Sequence, residues 1–359
     1  MKASKKTLLS GFMILSMAVL AACGGAGDSA PAGSGDSGAA AQTVELKMGH
    51  MNSPEHVQDA LVMRPFNEKV AEVTEGRVQI EIYPGAALAS PPTSYDAAVT
   101  GIADIMWGLQ GYTAGKFPLT SVVNLPFVDG GNAESMSKIL WELYETFPEF
   151  QAEYGDVKPL WFHASDSYQI VTKGKQVKTL DDLKGLKLRA TSAEANALIA
   201  AWGGTPVSMP MPDLYDALQK GVVDGGVIPI AAIKDFNLGD VVDYVTIGNF
   251  HNAAFFEVMN KDSWNKIAPE DQAKMEELIG LEMSGKAGAA FDQNVAEAMK
   301  IVEAEGIEVY ELPAEELQRF KDASVGVTEK WIADMTAAGH PAQEVYDKFV
   351  ELAKKYSGQ

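Results

Sequence analysis

An α/β fold of two lobes is predicted by three features of the sequence. Short apolar or β-branched runs alternate with helical patterns from Val44 onward, as in mixed α/β architectures. About 317 residues follow the leader and tether described below, enough for two lobes with separate cores. Beyond Phe255–Met259 the chain turns almost wholly helical, and Ile279, Met283, Ala287, Phe291, Val295 and Met299 recur at every fourth position.

The chain opens with Lys2, Lys5 and Lys6, the apolar run Leu8–Leu20 and then Ala21-Ala22-Cys23, an export signal over 1–22. The apolar run is shorter than the roughly 20 residues a spanning helix needs. The small residues before Cys23 resemble a bacterial lipobox, so Cys23, the single cysteine, is expected to become the mature N-terminus and carry lipid. The protein is then extracytoplasmic, in the periplasm or on the outer face of the cell membrane, and has no intrachain disulfide. After the cysteine, residues 24–42 are almost entirely Gly, Ala, Ser, Asp and Pro, so 23–42 should be a flexible tether.

Strands are expected at Val44–Met48, Val78–Tyr83, Ile105–Trp107, Leu160–His163, Tyr168–Thr172, Leu186–Ala190 and Val223–Val227. Helical patterns fall at His56–Thr74, Tyr95–Thr100, Ala133–Phe147, Ala193–Trp202 and Asp213–Lys220. Gly76, Gly101, Gly203 and Gly221 suit left-handed C-caps, and Pro65 should kink the first helix. A single helix over Pro269–Ala304 would run about 50 Å at 1.5 Å per residue and brace both lobes, with Gly280, Gly285 and Gly288 as places for a bend. On this reading 43–165 plus about 255–295 form the first lobe, and 166–254 plus about 296–359 the second.

The chain carries 29 Lys+Arg against 49 Asp+Glu; without the three signal lysines, 26 against 49 leave a net charge of −23. Such a surface repels nucleic acid and anionic lipid. HExxH, GxSxG, a Walker glycine loop and a CxxC pair are all absent, and the glycines of Gly108–Gly115 do not match a dinucleotide fingerprint. Five histidines (His50, His56, His163, His251 and His340) lack metal-ligand spacing and read as packed or surface residues. Asp181-Asp182 after Thr179 reads as the opening of a helical turn. No catalytic residue, metal or cofactor is expected.

Arginine is scarce: only Arg64, Arg77, Arg189 and Arg319 occur. The others lie in charge-rich surroundings and read as solvated surface, whereas Arg189 ends the apolar strand Leu186–Arg189 just before a helix. Ligands of open α/β sheets bind beyond the carboxyl ends of strands, where a guanidinium grips a carboxylate through two parallel hydrogen bonds. The alternative is a structural arginine paired with one of many acids, and the residues alone leave both open.

Gly185-Leu186-Lys187-Leu188-Arg189, Trp202-Gly203-Gly204-Thr205-Pro206 and Asp213–Gly225 together resemble the central signature of the DctP-like solute receptors of TRAP transporters. Ile82-Tyr83-Pro84-Gly85-Ala86, Gly101–Ile105, Gly115–Leu119 and Asn124-Leu125-Pro126-Phe127 agree in order. The resemblance implies a periplasmic-binding-protein-like fold of two lobes, a long helix bracing them, and a solute enclosed between. It makes Arg189 the grip on the solute carboxylate, with Gln169 on the preceding strand. Met51, Trp107, Tyr112, Met211 and Ile228 fall in the matching pocket loops, although burial in a lobe core remains open for each.

Where many relatives carry a polar Glu-Asn-Pro element, this chain reads Val227-Ile228-Pro229, which favours a monocarboxylate over a dicarboxylate. Expected partners are a small organic acid and the small and large membrane subunits of a TRAP permease. A sensory ligand-binding subunit and an exported hydrolase or lyase on acidic substrates are the competing functions.

Overall fold

The computed structural model describes residues 43–358; the export signal, Cys23 and the tether lie outside them. In chain order the strands are β1 (Val44–Gly49), β2 (Val78–Tyr83), β3 (Ile105–Leu109), β4 (Val157–Ala164), β5 (Tyr168–Thr172), β6 (Lys187–Ala190), β7 (Thr205–Ser208), β8 (Gly225–Pro229), β9 (Tyr244–Ile247), β10 (Ala254–Asn260) and β11 (Glu308–Glu311). They form two sheets, ordered β2-β1-β3-β10-β4 and β11-β9-β5-β8-β6-β7. In the first, β1 is parallel to β2 and β3, and β10 runs antiparallel between β3 and β4. In the second, β6 is parallel to β7 and β8, while β5 is antiparallel to β8 and β9. The strands β7, β9 and β11, four residues each, carry too short an apolar pattern to stand out from their surroundings.

The helices are α1 (Arg64–Val73), α2 (Ser94–Val99), α3 (Ala133–Thr146), α4 (Pro148–Glu153), α5 (Ala193–Ala201) and α6 (Leu214–Gln219). They continue with α7 (Ala231–Asp235), α8 (Lys261–Asn265), α9 (Pro269–Glu276), α10 (Leu281–Ala304), α11 (Ala314–Ala337) and α12 (Ala342–Ser357). Asn132 and Ser192 cap α3 and α5 by accepting the N–H of Ser135 and Ala195. Residues 57–73 run as one continuous helix whose early part, Asp59–Met63, is π-helical and leads directly into α1; Pro65 lies inside it, and its missing N–H is accommodated by that local widening.

Besides the long passage from β10 to β11 through α8, α9 and α10, the chain makes two short crossings between the sheets, from β4 to β5 through 165–167 and from β9 to β10 through 248–253. The crossings are tied together: the Ser165 N–H donates to Ala253 O (3.3 Å), Tyr168 N–H to His251 O (2.8 Å) and Phe250 N–H to Tyr168 O (3.0 Å). This ladder joins the two lobes.

The helix expected over Pro269–Ala304 is two. Gly280 adopts φ +85°, a conformation open to glycine, and starts α10 afresh. The 24 residues of α10 span about 36 Å. Gly285 and Gly288 do not bend it; a Cβ on Gly288 would lie 2.3 Å from Ala133 O and from Ser137 Oγ, so these glycines let α10 press against α3. At the other end Val302 joins the second-lobe cluster of Val171, Ile228 and Val245, and α10 thereby rests on both lobes. A second helix does the same. Phe320 and Ser324 of α11 meet Trp202, while Trp331 donates to Ser121 Oγ at 2.7 Å in the first lobe. The placing of 296–359 in the second lobe fails for α12: Val345, Phe349 and Leu352 pack with Ile139 and Leu140 of α3, because its apolar stripe matches the outer face of that helix.

Candidate functional site

A small cavity lies between the sheets. Its floor is aromatic. Trp107 of β3 stacks on Phe255 of β10 (centroids 5.0 Å apart), and His163 of β4 lies parallel to Phe255 (4.8 Å, 1°) and stacks on Phe291 of α10 (5.6 Å). The Trp107 indole donates to His163 Nε2 at 2.8 Å, which requires a neutral imidazole; burial pushes the His163 pKa down to about 3. Trp107, Phe255 and Phe291 reach the cavity, joined by Tyr168 at the start of β5 and Phe236 after α7.

Arg189, near the end of β6, is 1% exposed. Its Nε donates to Met209 O at 3.1 Å and its Nη2 to Tyr112 Oη at 2.8 Å. Tyr112 belongs to the turn after β3, in the first lobe, and its oxygen also accepts the Met211 N–H at 2.8 Å. With both acceptor positions filled, the phenol O–H keeps its own proton for another partner. Burial raises the Tyr112 pKa, which keeps that proton in place. No carboxylate pairs with Arg189 among the described residues. The other three arginines all have one: Arg64 meets Asp59 (2.6 Å), Arg77 meets Asp271 (2.7 Å) and Arg319 meets Asp181 (2.8 Å). Arg64 and Arg77 are less peripheral than their surroundings suggest, since Asp59 and Asp271 are buried.

A second polar group lines the same cavity. His56, on the turn before α1, faces Asp235 of α7 with Nε2 3.4 Å from Oδ2, and Asn52 of the loop after β1 lies on the same wall. His56 Nδ1 accepts the Gln58 N–H at 3.1 Å, which leaves the ring proton on Nε2. Burial lowers the His56 pKa to about 3 and raises that of Asp235 to about 6.

Of the residues singled out from the sequence, the cavity gathers Arg189, Trp107, Tyr112, Met211 and Met51. Gln169 and Ile228 are not among its lining. Gln169 Oε1 accepts the N–H groups of Gly248 (2.9 Å) and Asn249 (3.0 Å), and its Nε2 donates to Asn249 Oδ1 (2.6 Å), which fixes the turn where Asn249 has φ +48°. Ile228 is packed in the second-lobe core with Val171 and Leu214. Sequence reasoning missed Asn52, His56, Tyr168, Asp235, Phe236, Phe255 and Phe291. Phe291 was visible only as part of the fourfold stripe, and His56 only as one scattered histidine. Among the described residues no cluster of three His, Cys, Asp or Glu side chains is arranged to hold a metal, and no helix is long and apolar enough to cross a membrane.

The model of the bacterial extracellular solute-binding proteins of family 7, DctP, matches residues 48–334. The chain belongs to this family. A TRAP solute-binding protein from Rhodoferax ferrireducens T118, in complex with copurified benzoate, is 31% identical with a TM-score of 0.84, covering 88% of this chain and 99% of that one. A marine-metagenome TRAP solute-binding protein specific for aromatic acid ligands, co-crystallised with 3-hydroxybenzoate, is 29% identical with a TM-score of 0.84 over 88% and 99% of the two chains. A third, from Bordetella bronchiseptica with bound (R)- and (S)-mandelate, is 27% identical with a TM-score of 0.81 over 87% and 99%. DctP membership identifies the two lobes as those of a TRAP-type solute receptor, an extracytoplasmic component of transport.

Proposed function

We propose that this receptor binds a monocarboxylate with an aromatic body, carried by Arg189, and delivers it to the two membrane subunits of a TRAP permease without altering it. The observation that carries the reading is the buried Arg189 guanidinium with no carboxylate of its own. An unpaired buried charge is costly, and a solute carboxylate supplies the missing partner through charge-assisted hydrogen bonds. The free Tyr112 O–H adds a third donor to the same anion. Trp107, Phe255 and Phe291 offer flat apolar faces for a ring, at about 25 cal/mol per Å² buried. The aromatic acids bound by the Rhodoferax, metagenome and Bordetella proteins support the same class. Anchoring through lipidated Cys23, with 23–42 as tether, is part of the proposal, as is the division into lobes at the two crossings.

The test is calorimetry of the purified protein with benzoate, phenylacetate and mandelate against succinate, malate and fumarate. Micromolar binding of the aromatic set and none of the dicarboxylates is expected; the reverse order rules the reading out.

A further inference from the structure

We propose that Asn52, His56 and Asp235 form a second polar subsite of this cavity, which takes a hydroxyl group carried on the ring of the solute. The inference rests on the aromatic-monocarboxylate reading above and adds the residues that set specificity within that class. Three observations carry it. Asn52 is 1% exposed, yet neither its Oδ1 nor its Nδ2 has a hydrogen-bond partner, and the buried Asp235 Oδ2, with His56 and Asn294 as its polar neighbours, completes no well-formed hydrogen bond. His56 approaches that oxygen at 3.4 Å without completing a hydrogen bond. All three residues line the cavity, and no contact joins them to Arg189. Native interiors seldom leave so many polar atoms unsatisfied in one place unless something else completes them.

The donor and acceptor inventory selects the missing group. Asp235 Oδ2 and Asn52 Oδ1 accept, while His56 Nε2–H and Asn52 Nδ2–H donate. A hydroxyl both donates and accepts, so one such group on the ring satisfies Asp235 and either donor together. A second carboxylate does not fit, because it can only accept and would face the Asp235 charge at close range in a water-poor cavity. An ammonium group does not fit either, because it has no lone pair for His56. The cavity thus has an anion end at Arg189 and Tyr112, an aromatic middle, and a hydroxyl end at Asn52, His56 and Asp235.

The experiment is calorimetry of the full-length protein and its Asp235→Ala and Asn52→Ala variants with benzoate, the three hydroxybenzoate isomers and 3-hydroxyphenylacetate. In the native protein at least one hydroxylated acid should bind about tenfold more tightly than benzoate, the scale of one buried hydrogen bond. In Asp235→Ala that advantage should vanish, the ratio of hydroxylated-acid to benzoate affinity falling to about one whatever the change in benzoate affinity itself. Asn52→Ala, which alters the first lobe rather than the second, makes the same test if Asp235→Ala does not fold. Equal affinity for benzoate and every hydroxylated acid in the native protein, or an advantage that persists in the variants, overturns the subsite. Failure of all these acids to bind the native protein overturns the aromatic-acid reading itself, a result distinct from loss of the hydroxyl increment alone.

Discussion

The hydroxyl of Tyr112, from the first lobe, lies 2.8 Å from Nη2 of Arg189, from the second. The proposed anchor of the solute is therefore also part of the contact between lobes. Removing the phenol oxygen in Tyr112→Phe strands one guanidinium N–H and the Met211 N–H, and deletes a donor to the solute. Carboxylate affinity should fall by about 1–2 kcal/mol, read by calorimetry with benzoate. An unchanged dissociation constant would mean the solute does not engage this end of the cavity.

Arg189→Ala should cost more than any other single change at the site, about 3–5 kcal/mol, by leaving the solute carboxylate buried without a counter-charge. Arg189→Lys keeps the charge but not the planar fork that reaches Tyr112 and Met209 together, and should also bind poorly. Arg319→Ala is the control, because Arg319 lies outside the cavity lining and neither of its acids, Asp181 and Glu316, is fully buried; Arg64→Ala is not, since Arg64 holds the buried Asp59. Near-native affinity in Arg189→Ala would remove its assigned role.

Stability should fall as pH rises from about 6.5 to 9. In the crossing from β4 to β5, Asp166 accepts the N–H of Ile230 at 2.8 Å, but its other oxygen is unpartnered, and burial raises its pKa to about 8. A carboxyl with a raised folded pKa contributes stability that is complete below its unfolded value and lost as pH passes the folded one. Glu153, raised to about 7, and Glu257, raised well above the usual range, act in the same direction. The buried histidines His50, His56, His163 and His251 are held below 6.5, so their opposite contribution fades as pH passes the 6.5 of the unfolded ring and offsets only the start of this window. Thermal melts across the window should show a shallower decline in Asp166→Asn; identical slopes would refute the assignment.

Two glycine-to-alanine changes in long helices should have opposite signs. At Gly288 the new Cβ meets Ala133 O and Ser137 Oγ at 2.3 Å, so α10 and α3 must separate, costing about 1–3 kcal/mol. At Gly326 of α11 nothing lies within 4 Å, and alanine should stabilise by about 0.5–1 kcal/mol through helix propensity. Differential scanning calorimetry of the pair measures both, and a common sign would contradict the packing described for α10.

The sequence made much of the fold legible because period and punctuation are local properties. Val78–Tyr83 and Tyr168–Thr172 coincide with β2 and β5, and Ala133–Phe147 ends one residue beyond α3. The break at Gly280 was harder to separate from Gly285 and Gly288, since a glycine used for a turn and one used for close approach look alike until the neighbouring helix is present. At the site, Arg189 stood out by scarcity and Trp107 and Tyr112 by their loop positions. The group of Asn52, His56 and Asp235 was invisible because the fold brings Asp235 to the Asn52–His56 loop from a distant stretch of chain, and none of the three is unusual in its own neighbourhood. Gln169 and Tyr168 are hard to tell apart for one reason: two adjacent residues of one strand divide the work, the aromatic one lining the cavity and the polar one bonding to the turn at Gly248 and Asn249.

That division between Tyr168 and Gln169 has an evolutionary reading. The residue that lines the cavity and the residue that fixes the turn between the lobes are neighbours in sequence but share no task, so the wall of the chamber can be rewritten while the joint beneath it is left alone. A lineage built this way can change its diet without relearning how to close.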